Sequence, residues 1–267
     1  MDVDIIIVNF NTKELIRNCL KSIYEKTEGV DYRICVVDNA STDGSSEMIK
    51  NEFPQVELVV NTENIGFGGA NNLAMSKSNA EYIFLLNPDT FLINNVIKIC
   101  YDFMELEENK NVGICGGNVF RDDMSPHWAY GHFPSLRQAM FDFFELKYLF
   151  KKYYFQKIKP ICMNADNIIK EVDFISGADM FIRKSVLDEV GLFDEDFFLY
   201  YEETELSYRV HKKGYKSILV PEAKIVHLSE LETHNVKKLA LAEKSKYMFY
   251  KKSYGKKCGR MCKNCFG

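Results

Sequence analysis

The chain has 267 residues, 46% of them hydrophobic and 27% charged, with a formal net charge of −4. That length buries a substantial core, and that composition belongs to an ordinary globular protein and excludes a disordered one. The acidic balance gives no reason to expect nucleic acid as a partner, and no run of apolar residues approaches the roughly 20 that a membrane-spanning helix requires.

The charge is uneven, since the chain is rich in Lys and Arg from Lys237 onward. Met1 to Asp4 has no basic segment and the apolar run after it is short, so no signal peptide is expected. Of the eight cysteines, Cys19, Cys35, Cys100, Cys115 and Cys162 sit singly inside apolar periodic segments. That pattern fits a reducing cytoplasm better than a secreted disulfide framework.

In chain order, Val3–Val8 is an unbroken β-rich apolar run, the pattern of a strand buried on both faces. Leu15, Cys19, Leu20 and Ile23 recur at helical spacing after it. Tyr32–Val37 reads as a second buried strand, a helix is expected from about Ser45 to Asn51 and a third strand over Val56–Val60. Gly66–Ser76 reads as a helix opened by glycines, and Tyr82–Leu86 as a fourth buried strand. This alternation predicts an α/β layer fold with a mixed, mostly parallel sheet. After Asn118 the rhythm breaks. Arg121–Ser135 holds the only Trp and predicts an irregular loop. Leu136–Lys159 is aromatic and basic, with Lys147, Lys151, Lys152, Lys157 and Lys159 among Phe and Tyr. Strand, turn and helix signals then run from Glu171 to His227, and a basic helix and tail close the chain.

In an open parallel sheet ligands bind beyond the carboxyl ends of the strands. Four polar clusters fall there: Asn9-Phe10-Asn11-Thr12, the run from Asp38 to Ser45, the run from Asn64 to Asn72, and Asn87-Pro88-Asp89-Thr90. Each has a plain structural reading beside the functional one. Asp38 to Ser45 can be a turn and helix cap. Gly66 to Gly69 can permit close helix packing or backbone approach to a phosphate. Asp89 can form a turn or help hold a divalent ion that bridges a diphosphate. The turn after the first strand has no glycine, which argues against a dinucleotide fold. Further on, Asp194 to Glu205 threads carboxylates among aromatic residues that would raise their pKa. If that segment is helical, Glu205 and Arg209 form a salt bridge, and Glu203 points about 100° away from Glu202, free to act as a general base.

The opening strand with Asn9-Phe10-Asn11, DNASTDGS at 38–45, NIGFGGANN at 64–72, LNPDT at 86–90, SGADMFIRK at 176–184 and VGLFDEDFFLYYEETELSYR at 190–209 occur in family order. With them the chain resembles family 2 glycosyltransferases of the GT-A fold, in particular the bacterial rhamnosyltransferase-like branch that builds surface polysaccharides such as O-antigen. The resemblance covers roughly residues 3–230. It implies a GT-A, Rossmann-like sheet over 1–230, with a nucleotide-sugar half at 1–118, an acceptor and catalytic half at 119–230, and a basic helical tail at 231–267. It implies that Asp38 contacts the nucleotide base, that Asn9 and Asn11 line the nucleoside pocket, and that Gly66, Gly68, Asn71 and Asn72 border the sugar-nucleotide. Asp89 ends the Asp-x-Asp metal motif, in which Asn87 replaces the first acid, so Asp89 would be the main protein ligand of Mg2+ or Mn2+. Glu203 matches the base of the family's Glu-Asp pair, with Glu202 as alternative. His227 falls where some relatives place another metal or diphosphate contact; by residue type alone it is equally a polar end to a strand.

The activity so implied is an inverting transfer of a sugar from a nucleotide diphosphate to a hydroxyl of a lipid-linked glycan acceptor. Deoxythymidine-diphosphate rhamnose is the first expected donor and UDP-hexoses the next. The basic, aromatic stretch and the lysine-rich tail would then rest on an anionic membrane at the inner face of the cell, the alternative being a solvated loop and helix. A sugar-phosphate nucleotidyltransferase would carry an early glycine-rich loop with a basic residue, which Asn9 to Thr12 lacks. A catalytically inactive sugar-nucleotide-binding protein would have no need of Asp89 and Glu203. Cys258, Cys262 and Cys265 are spaced as zinc ligands can be, but no fourth ligand accompanies them.

Overall fold

The computed structural model describes residues 1–155, 167–228 and 236–255; Lys157, Lys159, Cys162 and the three cysteines after position 257 lie outside them. Strand β1 (Val3–Asn9) is buried along its whole length, as its unbroken apolar run requires. Helix α1 (Lys13–Lys26) lays Ile16, Cys19, Leu20 and Ile23 on the sheet, the spacing of one helical face. Ile16 takes the buried place expected of Leu15, which is only half-buried. Then come β2 (Tyr32–Asp38), α2 (Ser45–Glu52), β3 (Glu57–Val60), α3 (Gly66–Met75) and β4 (Tyr82–Leu86). Each bound falls within a residue of that read from the sequence. These strands lie in the order β3-β2-β1-β4, all parallel. The order turns back at β1, which opens a crevice at its carboxyl end.

The chain continues through β5 (Thr90–Leu92), α4 (Val96–Glu105), β6 (Val112–Phe120), β7 (Tyr130–Gly131), α5 (Leu136–Phe143), α6 (Leu146–Leu149), α7 (Lys151–Tyr153), β8 (Lys170–Val172), β9 (Phe174–Ile175), β10 (Asp179–Arg183), α8 (Lys184–Val190), α9 (Glu202–Lys212), β11 (Lys216–His227) and α10 (Val236–Tyr254). The described residues form a nine-stranded sheet, with β7 and β9 paired separately. β10 inserts antiparallel between β4 and β6, and β11 pairs parallel with β6 and antiparallel with β5 and β8. β1, β2, β3, β4, β6 and β11 therefore run one way, and the expected mixed, mostly parallel α/β sheet forms. Cys19, Cys35, Cys100 and Cys115 are free and buried.

Two long-range pairings assemble the carboxyl edge. Asp179 pairs with Leu86 across β10 and β4, so the turn before β10 meets Asn87, whose N–H donates to Ala178 O at 3.1 Å. Thr90 pairs with His227 across β5 and β11, which carries Asp89 and His227 to one place. The carboxyl-terminal helix corrects an expectation, for α10 is not a solvated tail. Phe249 and Tyr250 are fully buried, Ser245 donates to Leu199 O at 2.8 Å, and Lys246 pairs with Asp142 at 2.8 Å. Lys252 pairs with Asp194 and Asp196. Among the described residues no helix is long and apolar enough to cross a membrane.

Candidate active site

Two adjoining cavities open at the carboxyl edge, of about 320 Å³ and 180 Å³. Both are walled by Phe67, Asn87, Leu199, Tyr200 and His227. The larger receives Phe10, Asn39 and Asp89 from the first half of the sheet and Lys238 from α10. The smaller receives His127, Trp128, Ser176, Glu202 and Glu203.

Behind the larger cavity, Asn9, Asn11 and Asp38 spend their polar groups on one another's loops. Asp38 is fully buried and accepts from Ser41 N and Ser46 Oγ, both at 2.7 Å. Asn9 donates to Ser41 Oγ at 3.0 Å and accepts from Thr12 Oγ1 at 2.6 Å. Asn11, in the left-handed region at φ 54, accepts from Thr42 N at 2.8 Å. These three frame the pocket, and from the same loops Thr12, Asn39 and the half-exposed Phe10 line it.

The glycine run has a packing role. Gly66 has φ 83, and a Cβ there would fall 2.5 Å from Phe198 O. Its N–H donates to Asn64 Oδ1 at 3.0 Å, and that of Phe67 to Phe198 O, also at 3.0 Å. A Cβ on Gly68 would meet Phe193 Cβ at 3.3 Å. Asn72 clamps the same loop, donating to Phe193 O at 2.9 Å and accepting from Phe193 N at 3.0 Å, while Asn71 bonds back to Phe67 O. Gly66, Gly68 and Asn72 seat the loop at 193–198, and the first two amides of α3 are taken, that of Gly66 by Asn64 and that of Phe67 by Phe198.

Asn87, Asp89 and His227 do converge. Asp89 Oδ1 lies 3.2 Å from His227 Nε2 yet is a buried oxygen without an aligned hydrogen-bond donor. Asn87 Nδ2 lies 3.5 Å from the same ring nitrogen, and the His127 ring stacks on His227 at 5.8 Å.

On the other side, Tyr200 and Tyr201 both adopt left-handed backbone, at φ 70 and φ 71. A bulky residue in that region costs about 1–3 kcal/mol, and two in succession swing Tyr200 into the wall and start α9 at Glu202. Glu205 accepts from Arg209, whose guanidinium also holds the carbonyls of residues 190–192; the expected salt bridge forms and anchors the loop ahead of the site. Glu202 is buried with Oε2 unpartnered, and desolvation, then the neighbouring Glu203, push its carboxyl well above the ordinary range. Burial raises Glu203 as well, against a 3.2 Å bond from Thr204 Oγ1. Glu203 packs along Gly177, where a Cβ would stand 3.8 Å from its own.

Three cavity residues escaped the sequence reading: His127 and Trp128 after β6, and Lys238. The rule that located the others reaches the first two only once β10 shows that β6 runs with β4 and ends at the same edge.

The comparisons with known proteins bear on the family and the fold. The low-salt glycan biosynthesis hexosyltransferase Agl10 of Haloferax volcanii is 26% identical over 217 residues, 80% of this chain and 62% of that protein. The N-acetylglucosaminyl-diphospho-decaprenol L-rhamnosyltransferase of Mycobacterium tuberculosis is 25% identical over 234 residues, 81% of this chain and 73% of that one. Among solved structures, the mannosyltransferase PcManGT from Pyrobaculum calidifontis, in complex with GDP-Man and Mn2+, superposes with a TM-score of 0.61 at 17% identity, covering 94% of this chain and 64% of its own. The chain thus spans less than two thirds of the length of two of these three. The model of glycosyl transferase family 2 matches residues 4–191, from β1 to the turn after α8, and the chain belongs to that family.

Proposed function

We propose that the chain transfers a sugar from a nucleoside diphosphate to an acceptor hydroxyl, with inversion and with a divalent cation. The observation that carries this reading is the placement of Asp89 with His227, and of Glu202 with Glu203, in two cavities that share one wall. The larger cavity takes the donor and the smaller the acceptor.

The buried, unpartnered Asp89 Oδ1 beside an imidazole and an amide fits Mg2+ or Mn2+, since diphosphate oxygens and water complete such a shell. A cation held by Asp89 and His227 would offset negative charge on the departing diphosphate. Lys238 adds a positive charge to the same cavity. Glu203 takes the proton of the acceptor hydroxyl as that oxygen attacks the anomeric carbon from the face opposite the diphosphate. The carbon–oxygen bond to the diphosphate breaks with its electron pair, and the anomeric configuration inverts. Glu202 holds its proton and stays neutral. The paired carboxyls are thereby divided, one to keep a proton and one to accept it.

Rhamnose from its deoxythymidine diphosphate is the first donor to try and UDP-hexoses the second. The name of the mycobacterial relative supports the sugar and a diphospho-polyprenol acceptor; the Pyrobaculum mannosyltransferase complex supports a nucleotide sugar with Mn2+. A cytoplasmic location goes with this reading.

Thermal unfolding with nucleoside diphosphates and sugar-nucleotides, each with and without Mn2+ or Mg2+, tests it. A ligand at 100 times its Kd adds about 2.7 kcal/mol to native stability. A cation-dependent shift with dTDP or UDP species, lost in Asp89→Ala, together with sugar transfer is the expected result. Binding without transfer would favour an inactive sugar-nucleotide-binding protein, and no shift with any nucleotide would reject the donor site.

A further inference from the structure

The segment from Leu136 to Phe155 has one face packed on the domain and one exposed face. Inward, Ala139 and Tyr154 are buried, and Tyr154 OH donates to Asp142 at 2.6 Å. Tyr250 of α10 donates to Ser135 O at 3.1 Å. Outward, Phe144, Tyr148, Leu149, Phe150 and Tyr153 are 59%, 72%, 77%, 55% and 39% exposed. Single exposed apolar residues need no explanation, but five large ones within ten residues of chain mark an interaction site. Arg137, Lys151 and Lys152 stand exposed among them. The segment holds two acids, and one of these, Asp142, is neutralised by Lys246.

We propose that this face docks on an anionic lipid bilayer, with the aromatic and leucine side chains in the headgroup region and the lysines on its phosphates. Aromatic bodies with interleaved long basic side chains are the composition of interfacial segments. α6 and α7 are single turns, too short to do more than lie in that plane. The placement serves the acceptor cavity. His127 and Trp128 line that cavity, and the chain runs from them through β7 directly into α5. A span of eight residues reaches at most about 29 Å, so a bilayer held against α5–α7 lies within reach of a lipid-linked acceptor seated beside Trp128. That use of the surface rests on the transferase reading; the docking itself does not.

The test is co-sedimentation of the full chain with phosphatidylcholine vesicles, with and without phosphatidylglycerol. Binding to the anionic vesicles, weakened by salt, is expected. Lys151→Glu with Lys152→Glu should weaken it by about tenfold or more, at roughly 1 kcal/mol per basic residue near such a surface. Leu149→Ser with Phe150→Ser should abolish it, and melting curves of both variants should match the parent because the altered side chains face solvent. Failure of the parent to bind, binding indifferent to lipid charge, or variants that bind like the parent would overturn the proposal. So would concentration-dependent self-association removed by the Leu149 and Phe150 changes, which would give the face to a second copy. Vesicle binding without sugar transfer would keep the surface and reject the transferase reading; transfer to a soluble acceptor by a chain that ignores vesicles would do the reverse.

Discussion

On the side proposed for the donor, Asn9, Asp38 and Asn39 are buried and give their polar atoms to one another's loops or to nearby backbone. On the acceptor side, Glu202 has a buried oxygen with no partner, and both it and Glu203 are pushed up by desolvation. Satisfied buried networks fix shape at little electrostatic cost, whereas unpaired buried carboxyls cost stability and persist where they do chemistry. The first side therefore holds a pocket in shape, and the second supplies the reactive pair of the proposed transfer, with the Tyr200 wall between them.

The largest effect should come from the reactive pair. Glu203→Gln removes the proton acceptor while keeping side-chain size, and kcat should fall by about 10²- to 10⁴-fold, the usual contribution of a general base. The Kd for nucleoside diphosphate with Mn2+ should hardly change, because Glu203 lines only the acceptor cavity. Steady-state kinetics with calorimetric donor binding checks both. A loss of donor binding equal to the loss of rate would merge the two cavities into one site.

Next comes the frame. Gly66→Ala forces a Cβ onto Phe198 O at φ 83, so unfolding should become easier by about 1–3 kcal/mol, with the loop at 193–198 loosened. Urea melts measure the first effect, and protease sensitivity near Phe198 the second. An alanine variant of undiminished stability that fails to bind donor would favour the phosphate reading of the glycines.

How much of this was legible depends on the range of the interactions. From β1 to β4 each element is specified by its own apolar period, so Val3–Asn9 and Tyr82–Leu86 can be read almost to the residue. The insertion of β10 between β4 and β6 is a pairing of residues some 60 to 100 positions apart, and no local pattern encodes it. Without it the direction of β6 is unknown, and His127 and Trp128 look like parts of an irregular loop. Asp89, Glu203 and His227 are legible as candidates because chemistry and position coincide in them, and all three line the cavities. Asp38 is expected on the nucleotide because a motif names a residue type, whereas only the structure shows its carboxylate accepting from Ser41 N and Ser46 Oγ. Lys238 reads as part of a basic tail until α10 is seen packed along α9, with its first turn at the donor cavity.

The smallest and most discriminating change is Glu202→Gln, because it separates the members of the pair by pH. Both carboxyls sit above the ordinary value of 4.5, Glu202 further above it. Glu203 is the base only when ionised, so kcat/KM should fall as pH drops through its raised pKa, at a higher pH than an exposed glutamate would give. Gln resembles the protonated Glu202 of the working enzyme, and the acid limb and the rate should stay near those of the parent. Stability should separate the two proteins instead. A carboxyl with a raised folded-state pKa favours the native state below its unfolded pKa, and that contribution is lost as pH rises to the folded value. Glu202→Gln should therefore melt higher than the parent at alkaline pH, with the difference closing as pH falls toward 4.5. Rate loss comparable to that of Glu203→Gln would make Glu202 the base; melting curves that run parallel at every pH would show that its carboxyl is not the desolvated one.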